Sequence, residues 1–132
     1  MSWFYYMEKI IRKIRKAECL NKRQIGTEYE QKAVALLLEK GYKILEMNYR
    51  NRMGEIDIIA KQGEYLCFVE VKFRTDNTFG SPLEAVDAKK QKQIRKVAKY
   101  YLMSHGKNEW TPCRFDVIAY EGKEITHLEN AF

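Results

Sequence analysis

The sequence predicts a protein of the α/β class, in its α+β form, with the element order α-β-β-β-α-β-β. Two segments repeat apolar residues at helical spacing, and five shorter runs are rich in β-branched and aromatic residues and are separated by turn or loop segments. The 132 residues fit one domain, since single domains usually have about 100–150. An apolar fraction of 45% and a charged fraction of 32% predict a folded core with a charged surface and argue against a disordered chain.

The single domain is predicted to cover residues 24–132, behind a basic amphipathic extension at residues 1–23. In this extension Ile10, Ile11 and Ile14 follow helical spacing, and all the remaining positions from residue 9 to residue 16 are Lys or Arg. Such a helix could pack on the domain, or lie on nucleic acid or on a membrane surface. No run reaches the roughly 18 apolar residues of a membrane-spanning helix, so membrane association is the weaker alternative and stays open.

The first helix of the domain is predicted at residues 27–40. Ala33, Leu36 and Leu37 recur at helical spacing, and Gly41 follows as a C-terminal cap. Three strands in an antiparallel meander come next, because two short segments with turn-forming Asn or Gly separate them. These strands are predicted at residues 42–50, 55–61 and 65–74.

A loop at residues 75–87 precedes the second helix, which is predicted to end near Ser104. The loop contains Phe79, which either anchors the loop to the core or stacks on a nucleic-acid base. A strand at residues 113–121, a turn at Gly122 and a short last strand complete the domain. The inward stripe of the second helix consists of Ile94, Val97, Ala98, Tyr101 and Leu102.

Charged residues lie among apolar ones on two neighbouring strands of the predicted meander. Because side chains alternate between the faces of a strand, Glu70 and Lys72 share one face. On the preceding strand the same rule places Glu55, Asp57 and Ile59 together. A hairpin then brings Asp57 beside Glu70 if its register allows.

A divalent cation is the economical explanation for two carboxylates side by side, because they repel each other unless a cation joins them. Mg²⁺ binds one or two carboxylates together with water and phosphate oxygens, so Mg²⁺ (or Mn²⁺) is the predicted cofactor. Lys72 would steady the attacking water or offset charge on the phosphate in phosphodiester hydrolysis. The alternative is a solvated sheet face, on which each Glu–Lys pair contributes under about 1 kcal/mol. Apolar Ile59 and Phe68 on the same faces argue against it, because half-buried charges need pairing or a metal.

Two motifs, GEIDIIA at residues 54–60 and FVEVKFR at residues 68–74, are the centre of a family resemblance. With the segments around them, roughly residues 26–128, they resemble the small bacterial YraN-like (UPF0102) proteins. That family is grouped with the Holliday junction resolvases of the PD-(D/E)xK, or restriction-endonuclease-like, nucleases. The resemblance implies a restriction-endonuclease-like core with a central mixed β-sheet flanked by helices. It also implies endonuclease activity on DNA, including branched or damaged DNA.

The resemblance also implies the site residues. The superfamily's metal-binding aspartate falls on Asp57, its glutamate on Glu70 and its lysine on Lys72, which makes these three the expected catalytic residues. The acidic residue of the first helix in resolvase-like members falls on Glu30, so the implied metal ligands are Glu30, Asp57 and Glu70. Ile56 stands where the nominal motif of the superfamily has proline, which is a common departure.

Two acidic residues keep alternative interpretations. Thr27 lies three residues before Glu30, the capping-box pattern in which each side chain bonds the backbone N–H of the other, so Glu30 either caps the helix or binds metal. Glu55 supports the metal through water, pairs with Lys72 or faces solvent.

The chain is basic, with 24 Lys and Arg against 18 Asp and Glu and a net charge of +6, which favours polyanionic partners. Off its apolar stripe the second helix is mostly basic, and this surface either neutralises phosphates or is simply solvated. Gln91 or Gln93 is a further candidate, since polar residues of this helix approach the site in related nucleases. The predicted nucleic-acid-binding residues are Arg74, Lys89, Lys92, Lys96 and Lys99.

DNA is the predicted partner, and a non-catalytic nucleic-acid-binding protein with a nuclease fold is the alternative function. Resolvase-like enzymes that cut two strands symmetrically usually act as dimers, so a homodimer is implied although no residue marks its interface. Cys19, Cys67 and Cys113 lack the spacing of a disulfide framework or a zinc site, which favours reduced thiols in the cytoplasm.

Overall fold

A computed structural model of the chain describes residues 3–16, 22–74, 84 and 86–132, and the side chains of residues 3–10, 27–74, 84 and 86–132. The predicted order α-β-β-β-α-β-β is confirmed, and one further helix precedes it in the extension. Most of the predicted loop, Phe79 included, lies outside the described residues. The helices are α1 (Trp3–Lys16), α2 (Lys22–Glu39) and α3 (Ala88–Ser104). The strands are β1 (Lys43–Asn51), β2 (Gly54–Gln62), β3 (Tyr65–Arg74), β4 (Cys113–Glu121) and β5 (Glu124–Leu128).

The five strands form one mixed sheet in the order β1-β2-β3-β4-β5. The predicted antiparallel meander is confirmed for β1, β2 and β3, and β4 pairs with β5 in the same way. β3 and β4 run parallel, and α3 lies in the connection between them. Parallel neighbours need a long crossover, which the helix supplies.

Two apolar layers enclose the sheet. On one face, Ala33 and Leu37 of α2 pack against a buried cluster that we call the α2-side core. On the other, the predicted inward stripe of α3 is confirmed in the α3-side core, where Leu102 is only partly buried. Burying one such large side chain contributes about 1.5–3 kcal/mol. The sheet is therefore held rigidly between two helices.

The C-terminus of α2 matches its prediction and the N-terminus does not. Gly41 adopts a φ of 89° just after the helix, and the backbone N–H of Tyr42 donates to the carbonyl of Leu37 at 2.9 Å, as in a glycine-capped helix end. The helix begins at Lys22 and not near Thr27. Thr27 therefore lies inside the helix, and the capping-box interpretation of Glu30 is wrong.

The basic extension contributes α1 to the structure. Met7 is buried, and Trp3 packs against the α2-side core. These contacts favour the alternative in which the extension packs on the domain. None of the helices in the described part of the chain is long and apolar enough to cross a membrane.

Candidate functional site

The regular alternation of side chains between the two sheet faces is interrupted at Asn48 of β1, which has a φ of 52°. Met47 packs against the α2-side core, whereas Tyr49, two residues further on, packs against the α3-side core. In a regular strand these two side chains would share a face. Asparagine tolerates the left-handed conformation better than most residues, which explains its presence at this point.

The alternation of side chains is interrupted in the same way on β2, around Asp57. Ile56 belongs to the α3-side core and Ile58 to the α2-side core. Simple alternation, which grouped Glu55, Asp57 and Ile59, is therefore wrong at this point. The registered pairs of β2 and β3 begin with Ile58 opposite Val69, so Asp57 lies just beyond the regular ladder.

Asp57 replaces part of the missing ladder with its side chain. Its Oδ2 atom accepts a hydrogen bond from the backbone N–H of Val71 at 2.8 Å. This bond fixes the carboxylate between β2 and β3, one residue along from Glu70. Because Val71 is the residue after Glu70, this hydrogen bond brings Asp57 near Glu70 as predicted, and the charge of Asp57 raises the pKa of Glu70.

Glu70 is buried, and among the described side chains Lys72 is its cationic neighbour within ion-pair distance. Lys72 Nζ lies 3.6 Å from Glu70 Oε1, and the Glu70 side chain is 6% exposed against 35% for Lys72. The ammonium group is therefore open to solvent on one side while it faces the buried carboxylate on the other. That is the position in which a lysine can contact a bound phosphate.

Glu30 reaches these strand residues from helix α2. With its amide oriented to donate, Asn48 Nδ2 lies 2.8 Å from Glu30 Oε2 and 3.2 Å from Glu55 Oε1. Glu30 and Asp57 are also within hydrogen-bonding reach of each other. Glu55 pairs with Arg50, whose Nη2 lies 2.9 Å from Glu55 Oε2, and not with Lys72. We call Glu30, Asp57 and Glu70 the carboxylate cluster.

Burial raises the pKa of all three members of the carboxylate cluster. For Glu70, burial and then the charge of Asp57 raise the pKa from 4.5 to about 7. For Glu30, burial and then the charges of Asp57 and Glu55 also raise the pKa to about 7. Burial raises the pKa of Asp57 as well, against the opposing hydrogen bond from Val71. The neighbouring cations therefore do not offset the cost of ionising these three carboxyl groups.

Lys90 of α3 affects the carboxylate cluster electrostatically, and the sequence interpretation did not assign it to this cluster. The charge of Lys90 lowers the pKa of both Asp57 and Glu70, and in each case it lowers it more than the charge of Lys72 does. A signal for it was present, because Lys90 lies one helical turn before buried Ile94 and so faces the sheet. Asn48 was also missed, although an asparagine inside an apolar strand is itself unusual.

The donor chemistry of the cluster fits a hydrated hard cation. Among the described residues, no group of three or more His, Cys, Asp or Glu side chains is arranged to hold a metal ion. Mg²⁺ does not require such a cage, since it is usually held by one or two carboxylates and keeps several waters. Asp57 and Glu70 supply two carboxylates whose uncompensated charge a cation would balance.

The residues predicted to bind nucleic acid occupy different environments. Arg74 is mostly buried, with Nη1 3.7 Å from Glu121 Oε1, so it is part of the fold at the end of β3. Gln91 Nε2 donates to the carbonyl of Val86 at 3.0 Å and steadies the start of α3. Lys99 is exposed on α3. Lys89, Lys92 and Lys96 line a surface pocket with Arg52, Met53 and Gln93.

Glu70→Gln is expected to change how stability depends on pH. A carboxyl whose pKa is higher in the folded state stabilises the fold while it is protonated, and here this contribution disappears as the pH rises from 4.5 to about 7. The free energy of unfolding of the wild type should therefore fall across this window and then level off. For Glu70 the difference is up to about 3 kcal/mol, which urea denaturation at about pH 5 and about pH 8 can measure.

The glutamine variant should lose the part of the pH dependence that comes from Glu70, while Glu30 keeps its own part. It should exceed the wild type in stability at about pH 8, because glutamine places no charge at position 70. The matched control is Glu64→Gln, which removes an exposed carboxylate from the turn between β2 and β3. It should keep the wild-type difference. An unchanged pH dependence in Glu70→Gln would show that another group titrates.

The fold and site together define a small α/β protein with a half-buried carboxylate–lysine cluster where two antiparallel strands part. The chain belongs to the uncharacterised protein family UPF0102, whose model matches residues 29–120. The matched range contains the whole carboxylate cluster as well as Lys72 and Lys90.

Relatives from several bacteria carry the same family name. The chain is 49% identical over 113 residues to a UPF0102 protein of Lachnoclostridium phytofermentans. The aligned region covers 86% of this chain and 96% of that protein. The chain is 50% identical over 115 residues to a UPF0102 protein of Clostridioides difficile, with 86% and 100% covered. A UPF0102 protein of Thermodesulfovibrio yellowstonii is 50% identical over 109 residues, with 83% and 96% covered.

Proposed function

We propose that this protein is a Mg²⁺- or Mn²⁺-dependent endonuclease that hydrolyses phosphodiester bonds in DNA, with branched or damaged DNA as its substrate class. One observation carries the proposal. Asp57 and Glu70 from neighbouring strands are close enough for the charge of one to raise the pKa of the other, and Lys72 Nζ lies 3.6 Å from Glu70. Two carboxylates and an amine are the side chains that metal-assisted phosphate hydrolysis uses.

Each residue has a role that follows from its position. Asp57 and Glu70 would hold the metal, with Glu30 as a further ligand directly or through water. When bound, Mg²⁺ would polarise the scissile phosphate and help to supply hydroxide as nucleophile. Lys72 donates from its solvent-facing side to a phosphate oxygen or to the attacking water, and offsets the charge that develops there.

The environment of the site suits a negatively charged polymer. The net charge of +6 attracts DNA, and the basic surface of α3 begins beside Lys90 at the carboxylate cluster. Cutting two strands symmetrically would use a homodimer, as in resolvases. The location we propose is the cytoplasm, where bacterial DNA is found.

A cleavage assay with a panel of DNA structures tests the proposal. The purified chain would be incubated with duplex, nicked, flapped and four-way DNA in the presence of Mg²⁺, Mn²⁺ or EDTA. We expect metal-dependent cleavage, strongest on the branched substrates. If none of the substrates is cut with either metal, the proposal loses its main support.

A non-catalytic nucleic-acid-binding protein with the same fold is the second candidate. The observation that favours it is the row of lysines on α3, Lys89, Lys92 and Lys96, which can hold phosphates without a metal. Salt-dependent DNA binding that is indifferent to Mg²⁺ and Mn²⁺, together with no cleavage, would select this candidate.

A further inference from the structure

A basic pocket is lined by three of the residues predicted to bind nucleic acid, Lys89, Lys92 and Lys96, together with residues that have no role in the proposed function. Its volume is about 370 Å³. One wall is the turn between β1 and β2, with Arg52 and Met53, and the other is the exposed side of α3. Four of its six lining residues are cationic and none is acidic. The six residues are Arg52, Met53, Lys89, Lys92, Gln93 and Lys96.

The two walls are joined by contacts that fix the shape of the pocket. Gln93 Nε2 donates to the carbonyl of Met53 at 3.1 Å. The approach is very close at Gly54, where an added Cβ atom would lie 2.7 Å from Gln93 Nε2. Gly54 also has a φ of 142°, which L side chains rarely adopt. The turn can therefore press against α3 only because residue 54 is glycine.

A second contact holds the base of the same turn. Asn51 Nδ2 donates to the carbonyl of Val97 at 3.4 Å, and Asn51 Oδ1 accepts from the backbone N–H of Met53 at 2.8 Å. The turn is thus fixed both to α3 and within itself. Arg52 is carried by a rigid support, which lowers the entropy lost when it binds a ligand.

The charge of the pocket is concentrated and not spread along the helix. Lys89, Lys92 and Lys96 follow one side of α3 at spacings of three and four residues, and Arg52 faces them from the turn. A single exposed lysine is usually just solvated, but four like charges around one hollow repel each other until an anion enters. The planar guanidinium of Arg52 suits the bidentate recognition of a phosphate group.

Both walls of the pocket continue along the chain towards the carboxylate cluster. On α3, Lys89 lines the pocket, and the next residue, Lys90, is partly buried. On β2, Glu55 comes two residues after Met53, and its Oε1 atom lies 3.2 Å from Asn48 Nδ2, which is also 2.8 Å from Oε2 of Glu30 in the cluster. A chain with regularly spaced phosphates could therefore fill the pocket and reach the cluster together, which a small free anion could not.

We propose that this pocket binds a backbone phosphate of a nucleic-acid strand, with Arg52 as a phosphate contact, and so places a neighbouring phosphodiester at the carboxylate cluster. The inference rests on the proposed function and adds the turn between β1 and β2 to the nucleic-acid interface. Met53 is 49% exposed at the edge of the pocket and offers an apolar contact to the sugar next to the bound phosphate.

DNA binding measured in EDTA tests the pocket separately from cleavage. Fluorescence anisotropy with labelled duplex and single-stranded DNA would give the affinity between about 50 and about 200 mM KCl. Arg52→Ala and Lys92→Ala should each flatten the slope of log affinity against log salt by about 0.9 on duplex or about 0.7 on single strands. Arg52→Lys should restore most of the slope and only part of the affinity, because it keeps the charge but not the bidentate donor geometry.

Lys107→Ala is the matched control, since it removes an exposed charge from the segment after α3, outside the pocket. It should keep the wild-type slope. A slope that is unchanged in Arg52→Ala, or flattened equally in Lys107→Ala, would overturn the proposal, as would the lack of any binding in EDTA. A chain that never cuts DNA but shows the expected slopes would keep the pocket and lose the nuclease. A chain that cuts DNA with unchanged slopes would do the reverse.

Discussion

Asp57→Asn is expected to reduce Mg²⁺-dependent DNA cleavage at least about 1000-fold, while DNA binding in EDTA is unchanged. Metal assistance contributes several kcal/mol to such reactions, and about 1.4 kcal/mol corresponds to a tenfold change in rate. Asparagine keeps an oxygen that can accept the hydrogen bond from the backbone N–H of Val71, which Asp57 Oδ2 accepts at 2.8 Å. The substitution therefore removes the charge and leaves the local structure in place.

The same variant should be at least as stable as the wild type near neutral pH. The charge of Asp57 raises the pKa of both Glu30 and Glu70, so its removal relieves repulsion inside the cluster. A residue kept for packing or for ion pairing would show the opposite result. Asp57→Ala is a less informative variant, because an unpaired N–H on Val71 would cost about 1–3 kcal/mol.

Initial cleavage rates on four-way and duplex DNA measure the first effect, and urea denaturation at about pH 8 measures the second. Glu64→Gln, which removes an exposed carboxylate, serves as the control for both. Addition of Mg²⁺ should raise the melting temperature of the wild type and not that of Asp57→Asn, because a ligand stabilises only the form that binds it. Wild-type cleavage by Asp57→Asn would remove Asp57 from the site.

Most of the fold could be predicted because its signals are local. The turns that separate β1, β2 and β3 force antiparallel neighbours, and the α3 stripe is a regular helical repeat. The start of α2 could not be predicted in this way. Glycine costs a helix interior about 1 kcal/mol relative to alanine, so Gly26 indicates that the helix begins after it. Thr27 and Glu30, which have the spacing of a capping box, indicate the same start. The helix continues through Gly26 back to Lys22.

The site was predictable in its residue types and less so in its geometry. Asp57, Glu70 and Lys72 are recognisable from their motifs, and the structure brings the three together. The alternation rule fails at Asp57 because it assumes regular extended backbone, whereas Asn48 on the neighbouring strand has a φ of 52°. Contributions from outside the meander, such as Lys90 of α3, depend on how a helix is placed across the sheet, and strand periodicity contains no information about that.

Asp116→Ala is expected to reduce the free energy of unfolding by about 3–5 kcal/mol, the usual cost of removing one partner of a buried ion pair. Asp116 is fully buried on β4. Its two oxygens accept hydrogen bonds from Arg114 Nε and Nη2, both at 2.9 Å. His127 Nε2 lies 2.9 Å from Oδ2, and the backbone N–H of Asn130 donates to Oδ1 at 3.0 Å. One carboxylate thus joins β4, β5 and the C-terminal turn.

The pH dependence of this network runs opposite to that of the carboxylate cluster. Burial alone would raise the pKa of Asp116, but the hydrogen bonds from His127, Arg114 and Asn130 outweigh it and hold the pKa below 3.8. A carboxyl with a lowered pKa stabilises the fold above its unfolded value and loses this contribution as the pH falls through its folded value. The contribution of Asp116 is therefore intact near pH 5, where protonation of Glu70 also stabilises the fold.

A double-mutant cycle separates the cost of a lone buried charge from the loss of packing. In Asp116→Ala the guanidinium of Arg114, which also donates to Gln62 Oε1 at 2.7 Å, keeps its charge without its main counter-ion. Arg114→Met with Asp116→Ala should therefore destabilise the fold less than the sum of the two single variants, as urea denaturation would measure. Additive losses would mean that packing, and not the unpaired charge, sets the cost. Asp116 lies opposite Val69 in the sheet and not in the carboxylate cluster, so DNA binding by the folded fraction should be unchanged.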